Sequence, residues 1–247
     1  MINGIRAEFR KILTVRSTYF MVLACLAIIC LFSAYGEGFR GSVTQLRNPT
    51  HLVEESYSAI LFVGLIVALV GLLSFGHEYR YNGIMYTLTA SNNRLKSLLA
   101  KAFVVTVFSI FTSILFGLFS PLVNILGVHF AGKTMGPQTF DMWDMLWHCV
   151  FVGWGYAMFA FVLVAIIRSQ VGAIVMYLLI PLVGENILAN VFKDIPKYLP
   201  FMSLQSTLPL GVGPHSASMQ HYITVSLVYI IGGLAVAAVL FSRRDAN

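Results

Sequence analysis

The sequence predicts an all-α membrane protein with six spanning helices, and three observations predict it. Hydrophobic residues make up 58% of the chain and charged residues only 11%, whereas soluble domains carry about 25% charge. Six apolar runs come close to the length of about 20 residues that crosses a bilayer. The Lys and Arg residues fall unevenly between the two sets of run ends, as expected of a chain with a fixed direction in the membrane.

The runs are Ser17–Tyr35, Ser56–Phe75, Ala102–Leu126, Trp143–Ile167, Val171–Phe192 and Tyr222–Phe241. The first is too long for the apolar core of a signal peptide, and no small-x-small cleavage site follows it. One set of ends carries Arg6, Arg10, Lys11, Arg16, Arg80, Arg94, Lys96, Lys101, Arg168, Arg243 and Arg244. The other carries Arg40, Arg47, Lys133, Lys193 and Lys197. Eleven against five places both termini in the cytoplasm of a multi-pass protein of the plasma (inner) membrane. Residues 1–247 form one transmembrane domain with no internal repeat and no separate soluble domain.

Ahead of the first span, residues 1–16 place Ile2, Ile5, Phe9, Ile12 and Leu13 at helical spacing, with Arg6, Arg10 and Lys11 mostly on the other flank. This pattern predicts an interfacial helix facing membrane lipids, with its cations toward anionic headgroups. The alternative is a solvated basic tail. Between the second and third spans, residues 77–100 combine apolar Ile84, Met85, Leu88, Leu95, Leu98 and Leu99 with Glu78, Arg80, Arg94 and Lys96. They predict a short helix near Glu78–Thr89, a turn at Ser91-Asn92-Asn93, and a helix running from about Arg94 into the third span. A short amphipathic helix of this kind docks into a groove on a soluble partner or lies on lipid headgroups.

In the fifth span, Glu185 is the one acidic residue deep inside an apolar run. Such a group costs about 3 kcal/mol on insertion scales, and it usually faces the bundle interior or water. Pro181, Gly184 and Asn186 beside it predict a broken or bent helix. Two readings stand: part of a substrate path or hinge, or a carboxylate near the outer end that is simply hydrated. Residues 193–221 hold four prolines and apolar Ile195, Leu199, Phe201, Met202, Leu204, Leu208 and Leu210. They predict short outer helices that either dip into the outer leaflet or rest upon it.

Two motifs promise chemistry and fail on context. Gly127–Thr134, GVHFAGKT, has the P-loop spacing, but a long apolar helix leads into it and Met135-Gly136-Pro137 follows as a turn. A working P-loop needs a strand before it and a helix after it, and no Asp follows an apolar strand to hold Mg²⁺. His77–Tyr81, HEYRY, lacks the second His of a zinc-protease helix. Trp143 and Trp147 read as interface anchors around a structural His148. Cys25, Cys30 and Cys149 form neither a metal spacing nor an even disulfide set. No catalytic residue and no metal site is expected.

Three segments carry a family resemblance. AEFRKILTVRSTYFMVL at Ala7–Leu23 is similar to the opening segment of the ABC-2 type transporter permeases. EYRYNGIMYTLTASNNRLKSLLAK at Glu78–Lys101 resembles that family's loop between the second and third spans, with Glu78, Arg80, Gly83, Thr87, Leu88, Arg94 and Lys101 at the matching positions. The family often has Pro where this chain has Asn92 or Asn93. KYLPFMSLQ at Lys197–Gln205 resembles the segment before the last span. The resemblance implies a permease that pairs with a second copy or a paralogue and binds a separate ABC ATPase subunit. ATP and Mg²⁺ would sit on that ATPase, and this chain would hold no cofactor and no nucleic acid. The loop would be the coupling helix, with Glu78, Arg80, Gly83, Met85, Thr87, Leu88 and Arg94 at the docking site. Transport would run outward, for a drug, antimicrobial peptide or lipid-like substrate. The rival reading is an ion-gradient transporter or channel using Glu185.

Overall fold

The computed structural model describes residues 2–32, 35–36, 41–81, 94–139, 141–210 and 217–243, with the backbone alone for residues 2, 3 and 243. Among these the chain is helical, without strands. Helix α1 (Ile2–Thr14) and helix α2 (Arg16–Ile29) meet at 61°. Val15 makes the corner in an extended conformation, and the Tyr19 hydroxyl closes it by donating to the Leu13 carbonyl. A short α3 (Val43–Leu46) is started by a capping box between Ser42 and Gln45.

Four long elements follow: α4 (His51–Arg80), α5 (Arg94–Phe130), α6 (Met142–Ile167) and a broken helix. The broken helix is α7 (Gln170–Leu179), a π-helical turn (Ile180–Gly184) and α8 (Glu185–Val191). Then come a 3₁₀ turn (Pro196–Tyr198), α9 (Pro200–Gln205) and α10 (Met219–Arg243). By length and apolarity α4, α5, α6, α7–α8 and α10 can each cross a membrane, and α1–α2 supplies a sixth span if the bent pair is counted. The chain is a multi-pass helical membrane protein.

Several helices outrun their apolar runs. The third span, expected over 102–126, belongs to a helix of 37 residues, about 55 Å long at 1.5 Å per residue. The second, expected over 56–75, extends from His51 to Arg80. The start expected for the loop helix is therefore corrected: Glu78 and Arg80 belong to the last turn of α4, and Tyr81 is its C-cap. A helix need not stop where lipid stops, because its backbone hydrogen bonds close within the segment and still contribute a smaller net stabilisation in water. The rest of the expected coupling helix, with Gly83, Met85, Thr87 and Leu88, lies outside the described residues.

Helix α6 is the hub, touching α4, α5, α7, α9 and α10. Small residues let the neighbours in, as membrane helices require when lipid tails are as apolar as leucine. A Cβ on Gly153 would lie 2.0 Å from Ser113 Oγ and 3.1 Å from Ser113 Cβ on α5. The Arg168 guanidinium donates to the Leu240 carbonyl at 2.7 Å, so α6 and α10 end together. The end that holds these two termini, α1 and the start of α5 is called the basic end below.

The seam between α5 and α6 yields a test. Gly153→Ala should lower stability by about 1–3 kcal/mol through overpacking, read as a drop in the thermal midpoint of the detergent-solubilised chain. Gly232→Ala, where a Cβ meets nothing within 4 Å, should stay within about 1 kcal/mol of wild type.

Candidate functional site

At the basic end, four charges from three helices meet. Lys101 of α5 donates to Glu78 Oε1 of α4 at 2.6 Å and also pairs with Glu8 of α1. Lys11 of α1 pairs with the same Glu78 oxygen and lies 3.9 Å from Glu8. Lys101 is 3% exposed and Glu78 5%, and the Lys101 ammonium stands 5.3 Å from the centre of the Phe75 ring. Two lysines and two glutamates leave the cluster neutral, which is the condition under which buried charge is tolerated. Beneath it the apolar side of α1 is covered by protein: Ile5, Phe9 and Ile12 join Val70 and Val104 of α4 and α5. Arg6 and Arg10 remain exposed on the other side.

Glu78, expected at the docking site, has its Oε1 engaged by two lysines inside the chain, while its buried Oε2 has no hydrogen-bond partner among the described residues. Arg80 is exposed, its guanidinium 5.5 Å from the centre of the Tyr81 ring, and Arg94 opens α5. These two therefore stand at the two edges of residues 82–93. Glu8 was missed in the sequence. Its signal was the acid–base spacing Glu8–Lys11 on a helix whose other charges are all basic.

A second feature runs along α5. Ser109, Thr112, Ser113, Ser120 and Asn124 are all buried. The Ser109 hydroxyl donates to the Thr106 carbonyl at 2.9 Å, and that of Thr112 to the Phe108 carbonyl at 2.8 Å, the usual local solution in a helix. Ser113 Oγ, Ser120 Oγ and both amide atoms of Asn124 have no hydrogen-bond partner among the described residues. Asn124 is 0% exposed. An unpaired polar group is costly in the protein interior, and polar side chains inside spans cluster at functional paths. The sequence signal was the spacing 113, 120 and 124, which stays on one side of a helix. It was hidden by the apolarity of the span around it.

At the opposite end, Glu185 is 2% exposed. Its Oε1 accepts from the Phe201 backbone N–H at 2.8 Å and its Oε2 from that of Met202 at 2.7 Å. The carboxylate thus satisfies the first N–H groups of α9, which Pro200 cannot supply. Glu185 is therefore not a hydrated group at the outer end, and both its oxygens are engaged beside the π-helical turn, where a substrate path or hinge was expected. Asn186 serves the π-helical turn, donating to the Pro181 and Leu182 carbonyls at 3.0 and 3.1 Å. Pro181 lacks the N–H that would have closed the α-helical ladder there.

The 196–205 segment packs into the bundle. Phe201 packs on Tyr156, Phe159 and Tyr177 with ring centres 5.0–5.7 Å apart. Tyr156 lies about 20 Å along α6 from its start. Gln205 donates to the Tyr156 hydroxyl at 2.8 Å, and Gly155 leaves the space that Leu204 occupies. Near the start of α6, His148 Nδ1 sits 2.7 Å from the Asp144 carbonyl, and its ring meets Tyr57 edge-on at 5.6 Å. Trp143 is exposed.

The P-loop lookalike ends α5. Gly127 to Phe130 are helical, Gly132 turns with φ +66°, and Lys133 donates to the Gly41 carbonyl at 2.9 Å. The following residues form a clasp on the 41–52 segment. Gly136 N–H donates to the Leu46 carbonyl at 3.0 Å and Thr139 N–H to the Pro49 carbonyl at 2.8 Å. The Gln138 amide bridges the Asn48 carbonyl and the Leu52 N–H at 2.9 and 3.3 Å. Among the described residues no three His, Cys, Asp or Glu side chains converge on a metal position.

These features define a multi-pass helical membrane protein, with an ion-paired cluster at one end and a short helix packed into the bundle at the other. A family model described as ABC-2 family transporter protein matches residues 4–184. The chain belongs to that family. No curated protein matches it. The matched region holds the charge cluster at the basic end, the polar stripe of α5 and the π-helical turn, and it stops one residue before Glu185.

Two outcomes follow from this geometry. Lys101→Met should destabilise the chain by about 3–5 kcal/mol, because it strands buried carboxylates. Adding Glu8→Leu, which restores neutrality, should make the double variant milder than the single one in thermal melts. Glu185→Ala removes two charge-assisted hydrogen bonds, each worth about 1.5–3 kcal/mol. Hydrogen exchange at Phe201 and Met202 should accelerate at least tenfold, with the exchange of α4 unchanged.

Proposed function

We propose that this chain is the permease subunit of an ATP-driven exporter of the ABC-2 type. In this reading it lies in the plasma (inner) membrane with its basic end in the cytoplasm. It pairs with a second copy or a paralogue, and each permease engages a separate ATPase subunit that holds ATP and Mg²⁺. The substrate is amphipathic or hydrophobic, such as a drug, an antimicrobial peptide or a lipid-like molecule, and it moves outward.

Family membership over residues 4–184 is the observation that carries this reading. The excess of positive charge at the basic end supports the orientation. The charge cluster supports the coupling route. Residues 82–93 connect α4 to α5, and the cluster ties those two helices to α1 beside that connection. A displacement imposed by an ATPase on Arg80, Gly83, Met85, Thr87, Leu88 and Arg94 would reach three helices as one body. The ion-gradient alternative finds no support at Glu185, whose two oxygens already bind backbone N–H groups.

The test is co-purification with a soluble ATPase, followed by substrate-stimulated ATP hydrolysis and vesicle transport. Arg80→Ala and Gly83→Val should reduce ATPase stimulation severalfold while the thermal midpoint stays near wild type. Asn124→Leu should keep or raise stability yet lower transport. Lys133→Ala should leave ATP turnover nearly intact. Transport that persists without nucleotide and without an ATPase would overturn the proposal.

A further inference from the structure

A cavity of about 380 Å³ opens at the side of the bundle between α6 and α10. Phe159, Val162 and Leu163 of α6 form one wall, and Val228 and Gly232 of α10 form the other. Phe201 of α9 closes it toward the opposite end. The tyrosine hydroxyl of Tyr229 is the one polar side-chain group among its lining residues. Its volume is more than twice that of the apolar cavity of about 150 Å³ that stays dry and binds benzene.

The depth of the cavity limits what can fill it. Phe159 and Leu163 lie beyond the middle of α6, and Val228 to Gly232 lie near the middle of α10. Both helices cross the membrane, so the opening meets hydrocarbon and not headgroups or water. On the rim, Val228 is 62% and Tyr229 46% exposed, and the adjacent Ile231 is 63% exposed. This outward side of α10 is exposed and largely apolar. The groove continues it inward with the same chemistry.

Two adjacent glycines do different work here. A Cβ on Gly233 would fall 2.5 Å from Val162 Cγ1, so Gly233 lets α10 approach α6. A Cβ on Gly232 meets nothing within 4 Å, so Gly232 leaves space that the protein itself does not use. We propose that this groove is a binding site for one acyl chain of a bilayer phospholipid, which enters sideways past Val228 and Tyr229 and ends under Phe201. The chain props α10 against α6 and fills the space below α9. The inference depends on the membrane fold and not on the exporter reading.

The experiment uses the full chain in phosphatidylcholine vesicles doped with a phosphatidylcholine that carries a photoreactive diazirine at mid-chain. Cross-linked peptides are identified by mass spectrometry. Per-residue labelling of 159–166 and 228–233 should exceed that of the exposed α5 residues Phe111, Ile114, Leu115, Leu118 and Leu122 at least threefold. Gly232→Leu, which fills the groove from α10, should bring it down to the α5 level and leave α5 unchanged. Leu163→Phe fills the groove from α6 and serves if the first variant fails to fold. Labelling no higher than on α5, or unaffected by a folded filling variant, would overturn the proposal. So would efficient disulfide formation between two Val228→Cys chains combined with low lipid labelling, since the occupant would then be a second copy.

Discussion

The neutral cluster of Glu8, Lys11, Glu78 and Lys101 is the constraint around which the basic end is built. No pair within it can be removed from context. Lys101 needs both glutamates because it is almost wholly buried, and Glu78 needs both lysines because one of its oxygens serves both. A buried ion pair contributes little net stability compared with well-packed apolar residues. Its contribution here is one of position. It ties α1 to α4 and α5 just ahead of the corner that Val15 and the Tyr19 hydroxyl make into α2.

The opposite end obeys the same rule with different groups. In hydrocarbon, every backbone N–H and C=O needs a partner inside the protein. The start of α9 presents N–H groups inside the bundle, and Glu185 accepts them. The π-helical turn frees carbonyls, and Asn186 binds them. Glu185 and Asn186 of the broken fifth span thus each answer a specific backbone defect. Glu185, read in the sequence as a path or hinge candidate or a hydrated carboxylate, holds an irregular backbone in place.

The spans were legible because apolar run length is set by bilayer thickness, and the chain has little else that could hide them. Their ends were not, since α4 and α5 continue as helices into polar sequence. The period of Ile5, Phe9 and Ile12 was legible too, but periodicity reports an apolar face without naming what covers it. Here that face meets Val70 and Val104 of the same chain. The partners of Glu78 and Glu185 lay 67 and 16 residues away, beyond any local pattern. The unpaired stripe of Ser113, Ser120 and Asn124 was legible in spacing alone, and an apolar average over the span concealed it.

The connections also divide the bundle. Helices α4 and α5 are joined at both ends, by the ion cluster at the basic end and by the Lys133–Gln138 clasp on residues 41–52 at the other. Helix α6 is locked to α5 through Gly153 and to α4 through Gly64, where a Cβ would lie 2.9 Å from the Tyr156 ring. The later helices are held more locally: α10 by Arg168 and by Gly233 against Val162, α8 by Glu185. Between the two groups lie the apolar groove, the α9 wedge and the Pro181 turn. A π-helical turn can change its ladder without breaking a whole helix. Motion that kept α1 to α6 intact would therefore be taken up along the α6–α10 seam and at Pro181. On the exporter reading, that seam is where a push from the basic end becomes a change at the opposite end.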